Sequence, residues 1–348
     1  MSRRAVLPCC RRSAVVACLL AGITASAGMA RAPERPAAAQ PAREPFATPQ
    51  DLDRAAIAAF VIMSDNKGRA PSDSREMGRL VEWSAEMGAR FTIGLGDHLK
   101  RGWRNAFLDF LEENRGWRDR FYPCIADGEN EFYGARQGDW GAGGAFLKVI
   151  GLDRRPRVEI RRNGAEYYAR LPLDHGYTVH LIQLHYPDEP RNLRVAFPDS
   201  TRAYLCDMLP RIPHTPRDIV IAAAHSRSGR WVNLLRYDQR ELVLDRATLV
   251  LSATTHRFAH FDHGADRALC LNTGAVCYGV WDPRTRAPGN GFLTVHLLDG
   301  PPRLIVQYVD ALAPERRLAP PDRAFEKVLT TGLIRPVVFE PARPLPAR

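Results

Sequence analysis

The chain has 348 residues, 45% hydrophobic and 25% charged, and a formal net charge of +10. These proportions belong to an ordinary globular protein and exclude a disordered or fibrous chain, and the length is ample for a sizeable core. The arginines are dispersed, with none of the basic striping interleaved with aromatics that marks a nucleic-acid groove.

The N-terminus reads as an address. Arg3, Arg4, Arg11 and Arg12 precede an apolar stretch from Ala14 to Ile23, and small residues run on to Ala32. A basic start, an apolar run too short to span a bilayer and a small-residue cleavage zone predict a signal peptide over residues 1–32. The mature protein is then periplasmic or secreted, with no membrane contact. Ser2-Arg3-Arg4 also partly fits a twin-arginine signal. The first 32 residues carry five arginines and no acid, so cleavage leaves a net charge of +5. Four cysteines remain, Cys124, Cys206, Cys270 and Cys277. Export permits disulfides, and Cys270 and Cys277 flank an Asn272-Thr273-Gly274 turn across which they can pair. With no C-x-x-C pair, a thiolate zinc site is not expected.

Residues 33–54, with Pro33, Pro36, Pro41 and Pro45, read as a Pro/Ala-rich leader. The folded part is expected over 55–310. Ala56 to Met63 is a continuous apolar run, as in a strand buried on both faces. After the start signal Pro71-Ser72-Asp73-Ser74, apolar residues recur at helical spacing from Met77 to Met87. Phe91–Leu95 reads as a strand, Phe107–Leu111 as a helix face, and Phe121–Ala126 as a short strand. Strands alternating with helices predict a parallel sheet. Hairpin-like segments follow at Val158–Arg162, Glu166–Leu171 and Tyr177–Leu184, then a helix at Thr201–Leu209 and strands ending at His225 and Ser252. Ala268–Leu271, Gly291–Leu298 and Leu304–Val309 read as antiparallel strands. Residues 311–348 are Pro-rich and are expected to form a tail.

Polar clusters close several of these apolar runs: Ser64-Asp65-Asn66-Lys67-Gly68, Gly96-Asp97-His98, Gly128-Glu129-Asn130-Glu131, His225, and Thr254-Thr255-His256. Strand ends are where open α/β sheets place their chemistry. Asp, Glu, Asn and His are ligands for hard or borderline metal ions. Other nucleophile patterns are poorer: Ser226-Arg227-Ser228-Gly229 is no G-x-S-x-G elbow, and Gly141-Ala142-Gly143-Gly144 lacks the lysine of a phosphate loop.

The order of the clusters, with 32 residues between Asp65 and Asp97 and 32 between Asp97 and Glu129, resembles the calcineurin-like metallophosphoesterases. That family's pattern runs D-x-H, G-D, G-N-H-[DE], a lone His after a strand, then G-H-x-H. The resemblance implies an α/β fold of two mixed β-sheets packed as a sandwich and flanked by helices. It also implies one or two divalent metal ions (Mn, Fe or Zn) and hydrolysis of a small phosphorylated substrate by a metal-activated water. Carried over, Asp65, Asp97, His225 and His256 are metal ligands, with Asp97 bridging. The departures are as specific. Lys67 stands where the His of D-x-H belongs, and Lys100 where purple acid phosphatases supply a Tyr. Glu129 replaces an Asn ligand and becomes a variant ligand. Asn130 replaces the His that serves the leaving group. Ala253 and Thr254 replace the Gly and first His of G-H-x-H. Lys67 either takes the place of one metal beside Asp65 and Asp97, or faces outward and contacts substrate phosphate. His98 is a candidate stand-in acid; His185 and His260 are read as ordinary histidines, His185 with a chance of facing the same edge. The alternative to an enzyme is an inactive relative that binds a phosphorylated or other anionic ligand in the same cleft.

Overall fold

The computed structural model describes residues 40–66, 74–98, 104–126, 146–161, 164–185, 197–226, 231–277 and 289–340. Strand β1 (Ala42–Glu44) and helix α1 (Pro49–Ala55) precede β2 (Ala58–Met63). Helix α1 starts where Thr48 and Asp51 form a reciprocal capping box ahead of Pro49. Helix α2 (Arg75–Glu86) is capped by Ser74, whose hydroxyl accepts from Met77 N, and it buries Met77, Leu80 and Trp83. It leads to β3 (Thr92–Gly94), and α3 (Arg104–Glu113) and α4 (Arg115–Arg118) lead to β4 (Phe121–Pro123).

The second half begins with β5 (Val158–Ile160), β6 (Tyr167–Pro172) and β7 (Thr178–Leu184). Helix α5 (Asp199–Met208) precedes β8 (Asp218–His225), and α6 (Tyr237–Arg246) precedes β9 (Leu249–Ala253). Then come β10 (Phe258–Phe261), β11 (Leu269–Thr273), β12 (Gly291–Leu298), β13 (Arg303–Asp310), β14 (Ala324–Val328) and β15 (Ile334–Phe339).

These strands form two mixed sheets, ordered β1-β15-β14-β13-β12-β2-β3-β4 and β10-β11-β9-β8-β7-β6-β5. Strands β2, β3 and β4 run parallel, as do β7, β8, β9 and β11. The sheets pack face to face. Phe258 stacks on Tyr308 at 4.7 Å, Gln183 Nε2 donates to Gly94 O, and Tyr167 Oη donates to Pro123 O. Phe60, Ile62, Ile93, Leu181, Ile221, Leu251, Val295 and Val306 fill one buried core. A second apolar layer, with Leu205, Val243 and Trp231 over Val220 and Val250, lies beneath α5 and α6. Burying each large apolar side chain contributes about 2 kcal/mol.

The architecture is the expected two-sheet sandwich, with four corrections. Residues 311–340 are no tail: β14 and β15 complete the first sheet, and Pro336 sits within β15. Prolines count against a strand because they donate nothing to a ladder, and Pro314, Pro320 and Pro321 lie in the turn between β13 and β14. The leader is partly folded, since β1 pairs with β15 in parallel and α1 packs Leu52 against Leu298 and Val337. Strand β11 pairs antiparallel only with β10 and lies parallel to β9. Cys270 and Cys277 are not bonded to each other. Cys270 is buried in the layer under α6, whereas Cys277 Sγ lies 3.0 Å from Ser74 Oγ.

Candidate metal centre

The carboxyl ends of β2, β3, β8 and β9 converge on one edge of the sandwich. Asp65 lies two residues past β2, Asp97 three past β3, His225 closes β8, and His256 lies three past β9. The backbone at these positions is unusual. Asp65, Asp97 and His256 have φ of +51°, +56° and +56°, and Thr254 has +96°. A left-handed conformation costs an L-residue about 1–2 kcal/mol, and such strain gathers at functional sites. The surrounding hydrogen bonds hold it in place. Asp65 N donates to Gly96 O at 3.1 Å, tying the two aspartate loops together, and Cys277 N donates to Asp65 O. Gly96, at φ +92°, has no room for a side chain: a Cβ there would lie 2.7 Å from Ala126 Cβ and 3.0 Å from His225 Cβ.

Asp65, Asp97 and His225 are all buried, and one donor atom from each lies within 4.8 Å of the others. His225 Nδ1 sits 2.7 Å from Leu95 O, so that nitrogen carries the proton and donates it. Its Nε2 faces Asp97 Oδ2 at 3.3 Å. Metal-binding histidines are commonly fixed by such a backbone acceptor. His256 Nε2 lies 3.0 Å from Asp65 Oδ1 at the rim, 27% exposed, and Thr254 N donates to Asp65 Oδ2 at 3.3 Å. Asp65 Oδ1 is buried, and the His256 nitrogen near it lies at hydrogen-bond distance but outside hydrogen-bond geometry. Two buried carboxylates side by side require a compensating positive charge. Two carboxylate oxygens and an imidazole nitrogen form an oxygen-rich donor set that suits a divalent ion, so these residues fit the metal that the sequence resemblance implies.

His98 is placed otherwise than expected. Its ring is buried, Nε2 accepts from Gly96 N at 3.0 Å, and Nδ1 donates to Asn66 Oδ1 at 2.8 Å. Asn66 Nδ2 returns a bond to His98 O. Burial, reinforced by His225, pulls its pKa down to about 3, against a smaller opposing effect of Asp97. Both ring nitrogens are engaged, Nε2 by Gly96 N and Nδ1 by Asn66 Oδ1. His98 is thus a latch between the two aspartate loops, where a stand-in acid was expected to face the cleft.

His185, one residue past β7 on this same edge, is also buried and hydrogen-bonds Ile125 O through Nδ1 at 3.0 Å, the arrangement His225 makes with Leu95. His260 lies on β10 with its ring 4.5 Å from Phe325, away from the edge. Lys67, Glu129 and Asn130 lie outside the described residues. Sequence reasoning missed the Asn66–His98 latch and the Leu95 carbonyl, since a backbone acceptor leaves no residue-type signal.

No protein-family model matches the chain, and no curated sequence matches it either. Solved structures do. A purple acid phosphatase from yellow lupin (Lupinus luteus) seeds superposes with a TM-score of 0.53 at 12% identity, over 77% of this chain and 53% of that one. This chain therefore spans about half the length of that phosphatase. A dimetal phosphatase from Danio rerio gives a TM-score of 0.46 at 12% identity, over 75% of this chain and 99% of that one. PhoD gives 0.47 at 10% identity, over 81% and 72%. The fold is that of the calcineurin-like metallophosphoesterases.

Proposed function

We propose that the protein is an exported, metal-dependent phosphoesterase with an altered metal site, acting on a small phosphorylated substrate. The observation that carries this reading is the buried meeting of Asp65, Asp97 and His225 at the strand ends, with His256 beside Asp65. Asp65, Asp97 and His225 would hold the ion, with His256 and the variant ligand Glu129 completing its surroundings. A divalent ion there supplies Lewis acidity and an activated water for attack on phosphorus. The chain's own work is positional. Leu95 O fixes the His225 tautomer, Thr254 N aims the Asp65 carboxylate, and the Asn66–His98 latch sets the spacing of the two aspartate loops. Lys67 and Asn130 remain the groups proposed to meet the phosphate and the leaving group.

Export rests on the N-terminal pattern of residues 1–32. Among the described residues no helix is long and apolar enough to cross a membrane. The neutral, fully engaged His98 favours a second reading, an inactive relative that binds a phosphorylated or other anionic ligand, because it removes one proton source from the cleft.

The test is metal content by elemental analysis of residues 33–348 after exposure to Mn, Fe and Zn and dialysis, alongside hydrolysis of p-nitrophenyl phosphate and its bis-ester. One or two equivalents of metal with turnover, both lost in Asp97→Ala, support the enzyme. Metal without turnover supports the binding protein, and so does the absence of bound metal and turnover, with Lys67 as the substitute charge; either result overturns the enzyme.

A further inference from the structure

A cavity lies at the opposite edge of the sandwich, where β8 and β9 begin. It encloses about 310 Å³, with His214, Thr248, Asp266, Thr330, Thr331 and Lys327 among its walls. That is the lower end of the range for small-molecule sites. Only four of the chain's 49 basic residues are lysines, and one of them is this buried position.

Lys327, on β14, is 5% exposed, and its Nζ donates to Gly332 O at 2.6 Å and to Arg267 O. Among the described residues it makes no ion pair. The turn that carries Gly332 is built for this approach: its φ is +74°, and a Cβ there would meet Asp266 O at 2.7 Å. A neutral primary amine has two N–H groups and one lone pair. In its neutral form the two carbonyls take the two N–H groups and the lone pair is left over. An ammonium would have a third N–H to satisfy.

The charged neighbours on the packed elements are largely committed elsewhere. Asp218 binds His180 and Thr215, Asp245 pairs with Arg267, and Arg246 donates to Leu209 O and Ile212 O. Burial lowers the Lys327 pKa to about 8, against the opposing pull of Asp266 and Cys270. Lysine, unlike arginine, becomes a nucleophile when so placed.

We propose that Lys327 is a reactive amine that condenses with a small aldehyde or ketone entering this cavity. Nζ adds to the carbonyl carbon, the carbonyl oxygen departs as water with the two amine protons, and a C=N bond forms. No oxidant or reductant is required. The site is separate from the metal centre, so it stands or falls independently of the phosphoesterase reading.

The experiment treats the native full-length chain with pyridoxal and cyanoborohydride at pH 7 and at pH 10, and maps the reduced adducts by peptide mass. Lys148, which is exposed, is the internal reference. At pH 7 Lys327 is expected to label at least about tenfold faster than Lys148, with the gap narrowing at pH 10 as ordinary lysines lose their protons. Lys327→Arg should lose that adduct while keeping the far-ultraviolet circular dichroism of the parent. Equal or slower labelling of Lys327 at pH 7 overturns the proposal. If the arginine variant does not fold, the site-resolved map of the parent protein decides alone.

Discussion

His225 and Asp97 meet from opposite sheets, with Nε2 3.3 Å from Oδ2, and the contact is oriented by a bond on the far side of the ring, from His225 Nδ1 to Leu95 O. Because Leu95 lies in the same loop as Asp97, one segment supplies both the carboxylate and the acceptor that aims the imidazole. Removing an outer partner of a metal-bound His typically costs about 10–100-fold in metal affinity. His225→Ala, which removes the donor itself, is expected to weaken metal binding by about a hundredfold or more. Titration calorimetry with Mn or Zn checks this, and unchanged affinity would exclude His225 from the centre.

Asp65 and Asp97 are both buried and both strained, so the metal-free protein carries a cost that the ion offsets. In chelator, Asp65→Asn is expected to be more stable than the parent by about 1–2 kcal/mol, since one of two neighbouring buried charges is gone. Asn tolerates the left-handed backbone as well as Asp does, which isolates the charge. With metal at a hundred times its dissociation constant the parent should gain about 2.7 kcal/mol and the variant nothing. Urea unfolding in both conditions measures this. A variant that loses stability in chelator would show that the carboxylates are already compensated within the protein.

Those same residues show what the sequence makes legible. Asp65, Asp97, His225 and His256 stand out because each follows an apolar run, and a polar residue there must face the sheet edge. Gly291–Leu298 reads residue for residue because eight consecutive positions are buried. The latch does not read, since Asn66 and His98 are 32 residues apart and Leu95 and His225 are 130 apart. Strand β10 is only four residues long and carries His260, so no apolar run announces it. Strand β15 hides behind Pro336, where neighbouring strands override a local preference.

Cys270 and Cys277 are expected to remain thiols. Their side chains lie in different surroundings, Cys270 buried under α6 and Cys277 against Ser74. Burial raises the Cys270 pKa to about 12, so little thiolate is available for exchange. Intact mass after alkylation under denaturing, non-reducing conditions should show both modified. A mass two units low with both unmodified would establish the bond.

Gly94 tests the latch by volume. A Cβ there would lie 2.4 Å from His98 Nε2 and 2.7 Å from Phe121 Cε2. Gly94→Ala should therefore push His98 off Gly96 N and cost about 1–3 kcal/mol, the range for overpacking a core. Chemical unfolding gives the stability. The loss should come with weaker metal binding, since the aspartate loops lose their spacer. A destabilised variant with full metal affinity would make His98 a packing residue only.

At the far end of β12, His296 Nε2 lies 2.8 Å from Asp53 Oδ1, and Arg316 binds the other oxygen of the same carboxylate, so one acid on α1 fastens the turn between β13 and β14 to the first sheet. His296 is buried, and burial lowers its pKa despite the opposing pull of Asp53; Arg316 lowers it further. A histidine whose folded pKa is below its unfolded value binds its proton more readily in the unfolded chain. Its contribution to stability is complete above about pH 6.5 and is lost as pH falls from there toward the folded pKa. His296→Gln keeps a donor for Asp53 but cannot titrate. Its stability measured from pH 7 to pH 5 should decline less steeply than the parent's. Parallel slopes would mean that the triad relaxes to admit the proton, and α1 would then be held by Leu52 and the apolar layer rather than by Asp53.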